Sequence, residues 1–335
     1  MNSFQPKCIL VTGGAGFIGS NFVCYLLQTY RDLMIVNLDK LTYAGSMDNL
    51  HEVADLPRHV FVQGDIGDAA LVGSLLAKYE VDAVVHFAAE SHVDRSIRGP
   101  AAFIETNVVG TFTLLEAVRQ YWLEEKKLAS HLCRFHHIST DEVYGTLGPN
   151  DAPFSELSPY LPNSPYSASK AGSDHLVRAY AHTYQLPVTI SNCSNNYGPK
   201  QHSEKFIPTV IRACLNQKSI PIYGDGSNIR DWLYVEDHCR AVDQVLRQGR
   251  LNRSYNIGAS NEWSNLELAE YLAGCMDERY PDHRPHDRLI QYVKDRPGHD
   301  WRYAINDDRI QSELGWKPLC SFEEGIAKTI AYFVK

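Results

Sequence analysis

The sequence predicts an α/β fold, a Rossmann-type doubly wound parallel sheet with a smaller C-terminal α/β lobe. Three observations predict it. Short apolar runs alternate with helical stretches along the first half of the chain, the pattern of βαβ units with right-handed crossovers. The first run, Cys8 to Thr12, passes at once into Gly13-Gly-Ala-Gly16-Phe17-Ile18-Gly19 and an amphipathic helix. Strand, glycine turn and helix start bring free backbone N–H groups and a helix dipole to a pyrophosphate. A second run, Met34 to Leu38, ends in Asp39, twenty residues past Gly19. A carboxylate there accepts hydrogen bonds from an adenosine ribose and repels a 2′-phosphate, which selects NAD over NADP.

The third run, His59 to Gln63, ends in Gly64-Asp65-Ile66, and the fourth, Ala83 to His86, ends in Phe87-Ala88-Ala89. Asp65 and Ile66 fall where adenine would lie, and the small Ala88 and Ala89 let backbone approach a cofactor. Ordinary strand ends would read the same way, and His86 reads as a packed or locally bonded ring. A polar loop carrying Ser91 leads through Pro100 into a long helix, Ala101 to Trp122, that holds Asn107. A buried helical Asn needs partners, so Asn107 either fixes backbone near the site or faces solvent.

The next strand, Phe135 to Ile138, delivers Ser139-Thr140-Asp141-Glu142-Val143-Tyr144-Gly145. A hydroxyl and two adjacent carboxylates thus fall at the C-terminal end of a parallel strand, where ligands of open α/β sheets bind. After a Pro-rich loop, Pro149 to Pro165, Tyr166-Ser-Ala-Ser-Lys170 sets a phenol and an ammonium one helical turn apart. Pro187 to Cys193 reads as a further strand. Shorter elements follow: Phe206 to Leu215, helical, then Ser219 to Tyr223, Arg230 to Asp237 and Tyr255 to Gly258. The division expected is 1–195 for the dinucleotide and catalytic residues and 196–335 mainly for substrate, with the lobes interleaved. Tyr280 to Arg288 reads as an exposed loop.

Composition bounds the partners. The chain has 335 residues, 44% hydrophobic and 21% charged, with 32 basic against 40 acidic residues, a net charge of −8. A general nucleic-acid or anionic-membrane surface is therefore not expected, and an anionic ligand must be held by a local pocket. No signal peptide and no apolar run of bilayer-spanning length are expected. Eight scattered cysteines without a C-x-x-C pair suit a reducing cytoplasm and suggest no metal site.

Tyr166 and Lys170 suit alcohol oxidation. A tyrosine titrates near ~10, and an adjacent ammonium with a cationic nicotinamide would lower it enough to take a hydroxyl proton. Thr140 would hold the substrate oxygen. The two carboxylates suit more: once C4 of a sugar is a ketone, the C5 proton is acidic, and Glu142 as base with Asp141 as acid could expel water across C5 and C6. The same residues equally suit a helix start capped by Thr140, and taken alone they leave both readings open.

Taken together, Gly13 to Gly19, Ser139 to Gly145, Tyr166-x-x-x-Lys170, Asn195-Asn-Tyr-Gly-Pro199 and Arg230-Asp-Trp-Leu-Tyr-Val-Glu-Asp237 resemble the dTDP-glucose 4,6-dehydratases, members of the extended short-chain dehydrogenase/reductases. The likeness spans nearly the whole chain. It implies tightly held NAD, reduced and reoxidised within one turnover, with Tyr166 taking the O4 proton, Glu142 the C5 proton and Asp141 protonating the departing O6. It further implies substrate contacts from Ser91, Thr140, Asn196 and Lys205 to sugar and phosphate. Pro221, Ile222 and Tyr223 would meet thymine, and Arg230, Asn265, Arg296 and His299 the deoxyribose and phosphates. A homodimer packed through the Ala101 to Trp122 and Tyr166 to Tyr184 helices is implied as well. Lys200-Gln-His-Ser203 departs from the family, which often has an aromatic and a proline there. Alternatives are a UDP- or CDP-glucose 4,6-dehydratase, a UDP-sugar 4-epimerase, or a non-catalytic NAD-binding protein. The acidic pair argues against epimerisation, and Tyr166 with Lys170 against a binding-only role.

Overall fold

The computed structural model describes residues 3–334. Its strands in chain order are β1 (Cys8–Thr12), β2 (Met34–Asp39), β3 (His59–Gln63), β4 (Ala83–His86), β5 (Arg134–Thr140), β6 (Val188–Cys193), β7 (Asn195–Tyr197), β8 (Ile220–Tyr223), β9 (Ile229–Tyr234), β10 (Arg253–Ile257), β11 (Glu262–Ser264) and β12 (Ile290–Val293). Seven of them form one sheet in the order β10-β6-β5-β4-β1-β2-β3, parallel throughout. Nearly every residue of the central strands is buried, as both faces of a parallel sheet require.

One face packs Phe22, Val23 and Leu26 of helix α1 (Phe17–Thr29) with Val242 and Val245 of the helix Val235–Gln248. The other packs Val72 and Leu76, Leu114 and Val118, and Val177 from three further helices. The order of the strands reverses between β1 and β4, so the crevice at their C-terminal ends lies at the topological switch point. A third core, with Ile211, Trp232, Leu272 and Phe322, unites the C-terminal helices over the small sheets β11-β9-β7 and β12-β8.

Three expectations change. Tyr255 to Gly258 was assigned to the C-terminal lobe; it is β10, which closes the edge of the main sheet by pairing with β6. A strand near residue 255 returns there because the preceding helix packs on α1 and delivers the chain back to that edge. Second, the long helix does not stop near residue 122. It runs Ala101–Glu125, and by length and composition alone it is apolar enough to cross a membrane. Much of its apolar surface instead faces the core, with Leu114, Leu115, Val118, Tyr121 and Trp122 buried. Third, the 280–288 region is not wholly exposed: His286 is buried, its Nδ1 2.5 Å from Asp277.

Candidate active site

The glycine turn is shaped by close approach. Gly13 has φ +72°, and a Cβ there would stand 2.6 Å from the Ala88 backbone nitrogen; a Cβ on Gly19 would stand 2.2 Å from the Gly13 carbonyl. Only bare glycine lets the turn, β4 and the start of α1 meet. Gly16 caps α1 without any side-chain bond, which leaves first-turn N–H groups for a ligand. Gly13, Gly16, Phe17, Ile18 and Gly19 line a cleft of about 580 Å³, joined by Asp39, Asp65, Ile66, Ala88 and Ala89. Asp39 first shapes its own loop: its two carboxylate oxygens accept the N–H of Ala15 at 2.9 Å and of Leu41 at 2.8 Å. Lys40 pairs with Asp65 at 2.7 Å. This cradle fits a dinucleotide. Asn107 is buried behind the cleft wall and bonds the backbone of Glu90, so of its two readings it takes the backbone-fixing one.

At the end of β5 both readings of the acidic pair hold at once. Thr140 caps the short 3₁₀ turn Asp141–Tyr144, its hydroxyl accepting Glu142 N–H at 3.3 Å. Asp141 and Glu142 nevertheless both line the cleft. Asp141 is buried, and one of its carboxylate oxygens has no hydrogen-bond partner among the described residues. Burial, then Glu142 and Asp231, push its carboxyl well above the usual range, against Arg230 and the Thr140 hydroxyl. Burial also raises Glu142, but Arg296, Arg230 and Lys205 oppose the rise. The two neighbouring carboxyls are both pushed up by burial, and differ in that three cations oppose the rise at Glu142 and one at Asp141.

Around Tyr166 the protein's own groups work against ionisation. Burial, Glu142 and Cys193 push its phenol well above 10, and only the Thr140 hydroxyl is prominent in lowering it. Lys170 does not offset this; its ammonium is buried, donates to the Ile138 carbonyl at 2.8 Å, and is itself pushed down by desolvation. Helical spacing sets the two side chains on one face, but it does not set the dielectric that surrounds them.

Ser91, Asn196, Lys205, Pro221, Tyr223, Arg230, Asn265, Arg296 and His299 all line the same cleft, whereas Ile222 points into the C-terminal core. Lys205 donates to the Ser91 carbonyl at 3.1 Å. Arg230 stacks over Tyr303, 4.2 Å from the ring centre, and donates to the backbone carbonyls of Ile229, Asp300 and Trp301. Arg296 lies 3.7 Å from Asp94, and His299 bonds Asp295 at 2.6 Å. The divergent loop adds residues that sequence reasoning missed. Arg95 lies over the Tyr43 ring at 3.8 Å and grips Glu204 at 2.7 and 3.2 Å; His202 meets the edge of Tyr43. Tyr43, His92, His202 and Tyr303 also line the cleft. They come from separate loops with no local signature, so only the fold unites them.

A doubly wound sheet, a glycine turn at its switch point and a Tyr-x-x-x-Lys helix facing the end of β5 define an extended short-chain dehydrogenase/reductase. Residues 10–329 match the family described as GDP-mannose 4,6 dehydratase. A dTDP-glucose 4,6-dehydratase from Xanthomonas campestris pv. campestris (strain B100) is 54% identical over 97% of this chain and 92% of its own length. The crystal structure of a dTDP-glucose 4,6-dehydratase from Streptomyces venezuelae with NAD and TYD bound is 46% identical, with a TM-score of 0.89 over 98% of this chain and 97% of that one. A UDP-glucose 4-epimerase from Thermotoga maritima, solved with UDP-glucose, shares the fold at 28% identity and TM-score 0.86 over 98% of both chains. The chain belongs to the dTDP-glucose 4,6-dehydratase family.

Proposed function

We propose that the protein converts dTDP-glucose to dTDP-4-dehydro-6-deoxy-glucose and water, acting as an NAD-dependent hydro-lyase. The observation that carries this reading is the split environment of Asp141 and Glu142 at the end of β5. An epimerase on the same fold needs no such pair.

NAD would be held by the Gly13–Gly19 turn, Asp39, Asp65, Ile66, Ala88 and Ala89, and when bound it supplies the hydride acceptor and donor for an internal redox cycle. Tyr166 takes the proton from the C4 hydroxyl, with Thr140 holding that oxygen and Lys170 supplying fixed positive charge beside the helix. Glu142, where three neighbouring cations oppose the upward push of burial, removes the C5 proton, made acidic by the adjacent ketone. Asp141, whose carboxyl burial pushes well above the usual range, gives a proton to the departing O6, which leaves as water. Lys205, Arg230 and Arg296 suit the diphosphate, since guanidinium forks match phosphate oxygens. Ser91 and Asn196 address the sugar; Pro221 and Tyr223 form the base pocket, with Asn265 and His299 toward the deoxyribose.

The functional unit is read as a homodimer. Ile104, Val109 and Phe112 on the Ala101–Glu125 helix are 48%, 51% and 46% exposed, an apolar strip that suits a second copy. Eight free cysteines, six of them buried, suit a reducing cytoplasm.

The test is incubation with dTDP-glucose, and separately with UDP-, CDP- and GDP-glucose, in heavy water, followed by mass spectrometry. Loss of one water with gain of one deuterium, fastest for dTDP-glucose, is expected. Faster dehydration of another nucleotide sugar would overturn the thymine pocket, and an isomer of unchanged composition would mean epimerisation.

A further inference from the structure

Asp174 stands one turn beyond Lys170 on the helix Pro165–Tyr184 and has no part in the chemistry above. It is fully buried. An interior carboxylate is costly unless hydrogen bonds and charge compensate it, and here both do. Its Oδ2 accepts from Ser139 Oγ at 2.7 Å and from the Tyr160 hydroxyl at 2.8 Å, and its Oδ1 lies 3.1 Å from His137 Nε2. Ser139 immediately precedes Thr140-Asp141-Glu142. One carboxylate therefore joins the end of β5, the Pro-rich loop and the helix that carries Tyr166 and Lys170.

Lys170, one turn earlier on the same helix, donates to the Ile138 carbonyl at 2.8 Å, and Arg178, one turn later, donates to Tyr160 at 3.0 Å. Burial favours the neutral form of Asp174, but His137, Lys170 and Ser139 outweigh it and keep its carboxyl below the usual range.

We propose that Asp174 is a positioning residue for the dehydration: it is the tie that fixes the acid–base end of β5 against the Tyr166–Lys170 helix. This rests on the function proposed above, which wild-type turnover of dTDP-glucose decides by itself.

The first variant is Asp174→Asn, which keeps shape but puts an amide where a carboxylate accepted both hydroxyls. Expected are a fall in kcat of about tenfold at neutral pH and a KM for dTDP-glucose within about threefold of wild type. An unchanged kcat, or a loss carried by KM alone, would overturn the positioning role. Because a buried Asn beside His137 risks misfolding, Ser139→Ala and Ser139→Thr form the second pair, with thermal unfolding as control. Ser139→Ala is expected to lower kcat several-fold, and Ser139→Thr, which keeps the hydroxyl, to recover most of it. Equal activity of Ser139→Ala and wild type would overturn the tie.

Discussion

Asn107 closes a two-way amide bond pair on the backbone of Glu90: its Oδ1 accepts the Glu90 N–H at 2.8 Å and its Nδ2 donates to the Glu90 carbonyl at 2.9 Å, with a second donation to Ser169 Oγ at 2.8 Å. The residue sits in a π-helical turn, Ile104–Gly110, and such turns favour functional places in long helices. The loop it pins, Ala88 to Ser91, walls the cleft. Asn107→Leu would strand a backbone donor and acceptor, so we expect a loss of roughly 2–3 kcal/mol in urea denaturation and weaker retention of NAD through purification. Unchanged stability would show that Glu90 finds other partners.

Gly19 gives a second prediction. An added methyl at this position would meet the Gly13 carbonyl at 2.2 Å, and backbone rather than a movable side chain is what it meets. Gly19→Ala is expected to cost on the order of 2 kcal/mol and to lower NAD affinity by at least about tenfold. By contrast Gly73, with nothing within 4 Å of its Cβ position, lies inside the helix Ala69–Lys78. Gly73→Ala is expected to stabilise by up to about 1 kcal/mol. Calorimetry on both variants checks the contrast.

How much of this was legible follows from the range of each cause. Strand ends and the glycine turn are local: apolar runs and Gly13, Gly16 and Gly19 determine them, and β1 to β6 lie where the runs predicted. That Asp39 and Asp65 would lie at the cleft was legible for the same reason, since one ends β2 and the other stands two residues past β3. β10 was not, because a five-residue strand looks alike in either lobe and its pairing with β6 is decided by tertiary packing. The cluster in which Arg95 contacts Tyr43 and Glu204 beside the cleft, with His202 against Tyr43, was not, because three separate segments build it. The burial of Tyr166 was not legible, because spacing reports neighbours but not burial.

Buried histidines make the stability acid-sensitive. His238 bonds the Asn196 side chain at 2.9 Å, and burial pushes it down to about 3; His137 is pushed down to about 4. In the unfolded chain both titrate near ~6.5. Between those values the unfolded state binds protons that the folded state does not. Stability therefore falls as pH drops below about 6.5, by up to about 1.4 kcal/mol per pH unit for each histidine, and levels off below their folded pKa values. His238→Gln should flatten this slope by nearly one proton's worth between about pH 4 and 6. Urea denaturation across that window is the measurement, and an unaltered slope would place the titration elsewhere.

The acidic pair allows its two roles to be separated. Glu142→Gln removes a base but leaves Tyr166 able to take the O4 proton, so single-turnover NAD reduction should persist in part while solvent deuterium no longer enters C5. Asp141→Asn removes the acid but not the base, so C5 exchange should persist while loss of water fails. Each should lower kcat by roughly 10²- to 10⁴-fold. Tyr166→Phe should abolish NAD reduction itself, leaving neither later step observable. The environments predict this order, because burial and Glu142 push Asp141 well above the usual range, while at Glu142 the rise from burial is opposed by Arg296, Arg230 and Lys205. If Asp141→Asn were the variant that lost C5 exchange, acid and base would be exchanged, and the cations around Glu142 would serve substrate phosphate instead of its charge.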